Sequence, residues 1–537
     1  NGREFGYLND DSTLERTTKA AVDGNTIICS IDSNIQKIVE KHILAFNELH
    51  KGEYRKDDLG SKNTGVIVMN PKTGEILAMA SYPTFDLNNP TDLSAYYSQE
   101  EIVQMQENET FYDTLNQLWR NFCIQDTYEP GSTAKALTIS AGLDSGKITG
   151  NESYDCHGVL EVSGHGIHCH KLVGHGILDV SGTLEQSCNV GLMRIAATMG
   201  NETFMKYLTN YNIGLKTNID LAGEARTANL IFETDKMVAS DLAIASFGQG
   251  YNLTMIQLAS AFSAVINGGY YYEPHMVSKI VSPTGATVEN IEPRVLKQTI
   301  SASTSEKIVE YCNAVVTDGT GKTARPAGYA IGGKTGTAET LPRGNKEYVV
   351  SFMGYAPADD PEIAIYVVVD RPNVQYQDDA KYATRIVRNI LTEVLPYMGI
   401  FMTEELTEEE MAELEALQIE IMTPPASAET EDETGDGEEG VAEDGTEGTQ
   451  EDAAAGENGD AVEGESEEVS EGEGEQVQEE IWKTFEIDPA TGYAIDPNTG
   501  AFVDPVTGAT IGGSFDAGTS SNTEDGGAQE DTGETQE

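Results

Sequence analysis

The stretch TGVIVMNPKTGEILAMASYP, residues 64–83, predicts a β-hairpin. Two apolar runs of strand length flank residues 70–74, in which a proline fixes one backbone dihedral angle and a glycine supplies a left-handed one. The triplet Lys72-Thr73-Gly74 therefore lies at an exposed hairpin turn. We interpret Lys72 as a turn residue and not as a catalytic group.

Outward from this hairpin, the spacing of apolar residues predicts further helices and strands. Helical spacing covers residues 33–48, 132–145, 237–267 (one or two helices) and 383–398, and strand patterns cover residues 348–358 and 362–370. A helix and hairpin at the start, and two strands and a helix at the end, surround a helical middle. This order indicates an α+β domain with an antiparallel sheet.

The acidic residues are unevenly distributed. The chain of 537 residues has 90 acidic and 33 basic residues, and residues 403–537 hold 42 of the acidic ones but a single basic one, Lys483. No basic face is evident, so a nucleic-acid partner is not expected. No apolar run reaches the ~20 residues that a membrane-spanning helix needs. The chain begins with Asn1, and we interpret it as a fragment or processed product.

The acidic part of the chain predicts four further segments. Residues 401–424 favour an acidic amphipathic helix, and the low-complexity residues 425–480 a disordered acidic linker. Residues 481–513 contain three Asp-Pro-x-Thr-Gly turn repeats, which indicate a small β-meander or a string of turns, and residues 514–537 read as a disordered acidic tail. A weakly folded spacer is the favoured role for these repeats.

A second Lys-Thr-Gly triplet, Lys334-Thr335-Gly336, follows an apolar approach and two glycines. Upstream, YEPGSTAKAL places Ser132 and Lys135 three residues apart at a predicted helix start, which puts both side chains on one face. A third segment, Ser187-Cys188-Asn189, lies in the sequence between the motif at 132–135 and the triplet at 334–336. Ser-x-x-Lys, Ser-x-Asn and Lys-Thr-Gly, in this order, are the three motifs of the serine penicillin-recognising enzymes.

These residue types suit acyl transfer through a serine. The hydroxyl of Ser132 is a weak nucleophile that needs a base, and Lys135 can act as one if burial and a nearby positive charge lower its pKa. Lys334 is expected to supply that charge, Ser187 to relay a proton to the leaving amine, and Asn189 to hold Lys135 or the substrate amide.

The remaining groups of the predicted site bind substrate. Thr335 and Thr337 can hydrogen-bond a substrate carboxylate, and Gly336 lets the substrate backbone lie against the strand. The backbone N–H groups of Ser132 and Thr337 are expected to form the oxyanion hole.

Residues 20–400 resemble the transpeptidase domain of class B penicillin-binding proteins, in particular the division and spore-wall branch. The resemblance is carried by the three motifs in their contexts, such as YEPGSTAK, EQSCNVG and GKTGTAE. It implies the penicillin-binding-protein transpeptidase fold over residues 25–400, with residues 1–24 as the remnant of an N-terminal pedestal or linker.

The resemblance also implies a function. This is cross-linking of peptidoglycan stem peptides that end in D-Ala-D-Ala through an acyl-enzyme on Ser132, with β-lactams as covalent inhibitors. It implies a location on the extracytoplasmic face of the bacterial membrane, an anchoring helix outside this chain, and a membrane-embedded glycan polymerase as partner. No cofactor is expected. A D,D-carboxypeptidase and a non-catalytic β-lactam sensor or wall-binding scaffold remain alternatives. A class A β-lactamase would share the motifs, but the Glu-x-x-Leu-Asn segment that it needs does not follow Asn189.

The segment from Cys156 to His175 is rich in cysteine and histidine. An extracytoplasmic location permits disulfides, so a Cys156–Cys169 disulfide is the preferred prediction. Zinc is conceivable, but the ligand spacing is irregular, and no metal site is predicted.

Overall fold

A computed structural model describes residues 2–8, 14–423, 486–487, 494–495, 501–503 and 510–514. The strands are β1 (Arg3–Leu8), β2 (Leu14–Lys19), β3 (Thr26–Cys29), β4 (Ser61–Met69), β5 (Ile76–Tyr82), β6 (Ser153–Cys156), β7 (Val159–Val162), β8 (His165–His168), β9 (Gly176–Asp179), β10 (Tyr270–Tyr272), β11 (Val277–Val281), β12 (Thr287–Asn290), β13 (Val295–Gln298), β14 (Gly332–Glu339), β15 (Tyr348–Ala356), β16 (Ile363–Pro372), β17 (Glu486–Ile487), β18 (Ala494–Ile495), β19 (Ala501–Val503) and β20 (Thr510–Ser514).

The helices are α1 (Ser33–Leu49), α2 (Gln99–Glu107), α3 (Phe111–Leu118), α4 (Phe122–Gln125), α5 (Lys135–Asp144), α6 (Val180–Glu185), α7 (Asn189–Asn210), α8 (Ala239–Ala245), α9 (Met255–Ile266), α10 (Ala302–Thr317), α11 (Lys381–Tyr397) and α12 (Glu408–Ala416). None of the helices in the part of the chain that the structure describes is long and apolar enough to cross a bilayer.

A five-stranded antiparallel sheet in the order β14-β15-β16-β4-β5 organises the domain. Because successive side chains of a strand point to opposite faces, the sheet supplies two separate cores. Val66 and Val68 pack on one face with helices α1 and α11, whereas Ile67 and Met69 pack on the other face in a core that includes residues of α4, α5, α9 and α10. Helices therefore cover both faces, and the predicted α+β fold is confirmed.

The predicted hairpin is formed by β4 and β5, with Ile67 paired to Met79. Gly74 has φ 83° and its N–H donates to the carbonyl of Asn70 at 3.0 Å, as the turn requires. Lys72 is exposed and forms an ion pair with Asp360. The first Lys-Thr-Gly triplet is thus a turn, as predicted.

The predicted helices and strands of the domain are also confirmed, with two adjustments. Residues 132–145 begin as a 3₁₀ turn (Gly131–Ala134) before α5, and residues 237–267 form two helices, α8 and α9. A break at residues 246–254 separates α8 from α9, and Thr254 caps α9 through the N–H of Gln257.

The predicted acidic helix at 401–424 is shorter in the structure, because α12 spans only Glu408–Ala416. It is held against the domain by Leu414, which is buried, and by ion pairs of Arg325 with Glu410 and of Arg388 with Glu413. Its acidic face thus contacts arginines of the domain.

Strands β17 to β20 pair in consecutive antiparallel order, as in a meander. The Asp-Pro-x-Thr-Gly turns between them, the linker at 425–480 and residues 515–537 lie outside the described residues. Their predicted character stays a prediction.

Replacing Leu391 with alanine should destabilise the domain by about 2–5 kcal/mol, because this side chain is fully buried between α11 and the sheet and a cavity would remain. The matched change Leu44→Ala, on the exposed side of α1 where the side chain is 50% exposed, should cost less than about 0.5 kcal/mol. Chemical denaturation of both variants measures the difference. Equal losses would contradict the proposed packing of α11.

Candidate active site

Ser132 and Lys135 stand at the junction between the 3₁₀ turn and α5. In a 3₁₀ turn, residues three apart eclipse one another, so the two side chains lie on the same side of the backbone. Ser132 is half-buried, whereas Lys135 is completely buried. Ser132 thus remains partly exposed to solvent, whereas the amine of Lys135 is enclosed.

The amine of Lys135 joins the first motif to the second. Its Nζ donates to the carbonyl of Ser187 at 2.7 Å, to Ser187 Oγ at 3.0 Å and to Asn189 Oδ1 at 2.7 Å. Ser187 precedes helix α7 and has φ 53°, a left-handed conformation that is costly for a residue with a Cβ and that occurs often at functional sites. The Ser-x-Asn segment therefore supplies three acceptors to the amine of Lys135.

Lys334 lies within β14 and is also completely buried. Its Nζ donates to the carbonyl of Thr335 at 3.0 Å and to Thr335 Oγ1 at 3.1 Å. Thr335 Oγ1 also lies 2.8 Å from Thr320 Oγ1, a contact that the sequence did not predict. The strand thus offers an amine and a hydroxyl group side by side.

Burial is the first cause of the altered pKa values of both lysines. It lowers the pKa of Lys135 to about 8, and it lowers the pKa of Lys334 well below its usual value, with the positive charge of Lys135 as the second cause. The sequence had assigned part of the effect on Lys135 to Lys334. In the structure, loss of hydration lowers the pKa of Lys135 and Lys334 is not among the causes, so burial makes the neutral form of Lys135 accessible near neutral pH.

The turn carrying Ser132 presses against β14. A Cβ added to Gly131, which has φ +58°, would lie 2.8 Å from the carbonyl oxygen of Thr337. Gly336 is equally confined, since its added Cβ would lie 2.9 Å from Thr133 Cγ2. Thr337 is half-buried, and its hydroxyl donates to the carbonyl of Asp378 at 3.4 Å. The third motif therefore lies directly against the first, with residues that could line a substrate cleft.

The Gly131 contact yields a prediction. Gly131→Ala should slow covalent labelling by a penicillin by about tenfold or more, because the displaced turn moves Ser132 relative to β14. Gly146→Ala is the matched control, since Gly146 also has positive φ (+67°) but its added Cβ would meet nothing within 4 Å. Both variants should lose about 1 kcal/mol of stability from backbone strain. Intact-mass spectrometry of samples quenched over a time course measures the labelling rate. Similar rates for the two variants would show that the contact of Gly131 with β14 does not position Ser132.

The cysteine and histidine segment differs from its prediction. All six cysteines lie within the described residues and are free, so Cys156 and Cys169 are not joined. Both sulfurs instead face the ring of His175, at 3.6 Å each from Nδ1. Cys188, the middle residue of the Ser-x-Asn motif, lies in the same cluster. Three sulfurs and a ring nitrogen thus lie close together. A disulfide between Cys156 and Cys169 would involve only two of these four atoms.

Comparison with known proteins shows the class of protein to which this site belongs. Residues 64–392 match the penicillin binding protein transpeptidase domain, which is more than half of the chain. The chain therefore belongs to the penicillin-binding protein transpeptidase family, and within it to class B, of the division and spore-wall type.

Three particular proteins are similar to it. Stage V sporulation protein D of Bacillus subtilis is 36% identical over 70% of this chain and 54% of its own length. The probable peptidoglycan D,D-transpeptidase PenA of Neisseria flavescens is 28% identical over 72% of this chain and 86% of its own length. The structure of penicillin binding protein 3 from Mycobacterium tuberculosis, complexed with aztreonam, is 26% identical with a TM-score of 0.61, over 72% of this chain and 83% of that one. The chain spans about half the length of the first curated relatives it matches.

Proposed function

We propose that this chain is a serine D,D-transpeptidase that cross-links peptidoglycan stem peptides and is acylated by β-lactams at Ser132. The observation that carries the proposal is the contact of Lys135 Nζ with Ser187 Oγ and Asn189 Oδ1, because it unites two separate motifs around one buried amine. Membership of the transpeptidase family supports it, as do relatives named D,D-transpeptidases and a related structure holding aztreonam.

In the proposed reaction, neutral Lys135 accepts the hydroxyl proton of Ser132 while the serine oxygen attacks the carbonyl carbon of the penultimate D-Ala. The N–H groups of Ser132 and Thr337 stabilise the oxyanion that forms. The C–N bond then breaks, Ser187 relays a proton to the departing nitrogen, and D-Ala leaves. The product of this half-reaction is an ester between Ser132 and the shortened stem peptide.

The second half-reaction resolves the ester. An amine of a neighbouring stem peptide attacks the acyl carbon, its excess proton passes back through Lys135, and the Ser132 oxygen leaves as a hydroxyl. Thr335 and Thr337 hold the terminal carboxylate of the donor in the first half-reaction, because hydroxyl groups donate hydrogen bonds to a carboxylate. The amine of Lys334 positions the hydroxyl of Thr335, to which it donates at 3.1 Å. Gly336 lets β14 pack closely against Thr133 of the first motif, because an added Cβ would lie 2.9 Å from Thr133 Cγ2.

The experiment uses a synthetic pentapeptide that ends in D-Ala-D-Ala, with and without a second stem peptide as the acceptor amine. Release of D-Ala with formation of the joined peptide is the expected result. Release of D-Ala with hydrolysis alone would identify a D,D-carboxypeptidase. A folded chain that releases no D-Ala and binds no penicillin covalently would instead be a sensor or scaffold.

The proposal includes a location. The substrate is assembled outside the bacterial membrane, so the domain would act on the extracytoplasmic face, anchored by an N-terminal helix and paired with a membrane-embedded glycan polymerase. Co-purification of the full-length gene product with such a polymerase from detergent-solubilised membranes tests the pairing, and loss of membrane association on deleting the N-terminal helix tests the anchor.

A further inference from the structure

The cysteine and histidine cluster consists of Cys156, Cys169, His175 and Cys188. Their ligand atoms all lie within 4.8 Å of one another. The three cysteines are 1% exposed, and His175 is half-buried. Four potential ligands from four different places in the chain therefore converge on one point.

Each ligand is fixed by a different element. Cys156 ends β6, Cys169 follows β8, His175 precedes β9, and Cys188 is the N-cap of α7. Such convergence from separate elements is typical of a metal site, whereas a disulfide needs only two. It also explains why the sequence did not predict the site: the fourth ligand lies beyond the local segment, inside a catalytic motif.

The distances suit a tetrahedral ion. Zinc binds sulfur at about 2.3 Å and imidazole nitrogen at about 2.0–2.1 Å, so a sulfur and a nitrogen of one tetrahedron lie about 3.6 Å apart. The distances from His175 Nδ1 to the sulfurs of Cys156 and Cys169 are both 3.6 Å. Three thiolates and one imidazole in this geometry favour zinc over hard ions such as magnesium or calcium.

Backbone amides support charged sulfurs. The N–H of Asn189 donates to Cys169 Sγ and the N–H of Gly191 donates to Cys188 Sγ, each at 3.4 Å. Hydrogen bonds of this kind orient the ligands of a metal and stabilise their charge. The first turn of α7 thus supplies part of the surroundings that a bound metal needs.

The surrounding segment is held by few fully buried apolar side chains, since Leu160, Val162, Ile167 and Leu178 are only partly buried. Between Ser153 and Asp179 the chain forms two separate two-stranded ribbons, β6 with β9 and β7 with β8. Several of its large apolar side chains are exposed: Val159, Leu172, Val173 and Ile177. Small substructures with so few buried apolar groups usually need a covalent or metal cross-link.

We propose that Cys156, Cys169, His175 and Cys188 bind one structural zinc ion, which holds the Ser187–Asn189 segment in its active-site position. Binding releases the protons of the three thiols to solvent, and the neutral ring of His175 coordinates through Nδ1, which leaves a site of net charge −1. All four positions are filled by protein, so the ion has no open site for substrate and is structural.

The link to the active site is short. Cys188 lies between Ser187 and Asn189, the two residues that contact Lys135. Asn189 Nδ2 also donates to the carbonyl of His168, next to Cys169, at 3.2 Å. The metal therefore acts as a positioning element for the second motif, a consequence that rests on the proposed function.

The first test measures metal and thiols in the whole chain, purified with reductant and without chelator. We expect about one zinc per chain by elemental mass spectrometry, and the absorption bands of a tetrahedral thiolate complex after exchange for cobalt. After denaturation with chelator and without reductant, six free thiols should be titrated. Absence of zinc and of cobalt bands in folded, reduced protein would overturn the proposal, as would the loss of two thiols to a Cys156–Cys169 disulfide.

Variants identify the ligands. Cys156→Ser should lower the zinc content at least about tenfold, whereas Cys29→Ser, at an exposed cysteine outside the cluster, should leave it unchanged. His175→Cys keeps four ligands and should retain the metal. It is therefore the alternative test of the ligand assignment if Cys156→Ser does not fold. Unchanged zinc in a folded Cys156→Ser protein, or loss of zinc from His175→Cys and Cys29→Ser alike, would contradict the assignment.

The second test separates the metal site from the proposed function. Removing zinc with a chelator should slow penicillin labelling about tenfold or more, and adding zinc back should restore it. Zinc binding with labelling that does not change on its removal would overturn the positioning role. No labelling in the zinc-loaded protein would instead reject the proposed function while the metal content still supports the site.

Discussion

Replacing Ser132 with alanine is expected to abolish covalent labelling by penicillin, with a loss of at least about a thousandfold in rate. The physical reason is that the acyl group has no Ser132 oxygen to which it can be transferred, although Lys135 and the third motif remain. Intact-mass spectrometry after incubation with a labelled penicillin reads the result directly. The wild type should gain the mass of one penicillin, and the variant should gain none.

Two comparisons make this result specific. Lys72→Ala removes the lysine of the first Lys-Thr-Gly triplet, which is exposed and paired with Asp360, and its labelling should equal that of the wild type. Thermal unfolding should show that Ser132→Ala remains folded. Labelling of the Ser132 variant would place the nucleophile elsewhere, and peptide mapping would locate it. A folded wild type that is never labelled would contradict the enzymatic function.

Replacing Lys135 with alanine is expected to slow penicillin labelling about a hundredfold to ten-thousandfold, the usual contribution of a positioned general base. The variant loses the group that accepts the Ser132 proton. It also leaves the oxygens of Ser187, which is buried, and of Asn189, which is half-buried, without the donor that they have in the structure. Labelling rates from a time course at several penicillin concentrations separate slower acylation from weaker binding.

Lys135→Arg distinguishes the base from a mere hydrogen-bond donor. Arginine keeps the positive charge and several donors but does not lose its proton in proteins. If Lys135 acts as a base, the arginine variant should be nearly as slow as the alanine variant. Labelling close to the wild-type rate in Lys135→Arg would show that holding Ser187 and Asn189 is sufficient. Lys72→Arg serves as the control, because that lysine only forms a surface ion pair.

Much of the fold was predictable because its signals are local. The alternation of Val66, Ile67, Val68 and Met69 marks a strand with two buried faces, and Pro71 and Gly74 mark its turn. Helices α1 and α11 follow from regular apolar spacing. The length of α12 was overestimated, because the tertiary contacts of Leu414 and of the arginines that pair with Glu410 and Glu413 decide where that helix is held.

The candidate active site was predictable as a set of motifs, although not as an arrangement. Order and spacing identified Ser132, Lys135, Ser187, Asn189 and Lys334 as the residues of interest. The left-handed conformation of Ser187, the contact of Gly131 with β14 and the partners Thr320 and Asp378 are long-range features. No local pattern encodes them, because each depends on segments far apart in the chain.

The sequence by itself determined which side chains are the candidates for the chemistry, since a serine and a lysine three residues apart at a helix start face the same way whatever surrounds them. Only the tertiary structure decided that burial, and not Lys334, lowers the pKa of Lys135, because loss of hydration depends on every element packed around the amine. It also decided that Cys188 joins Cys156, Cys169 and His175. The four potential ligands are separated in the sequence by several strands and a helix, so they come together only when the chain has folded.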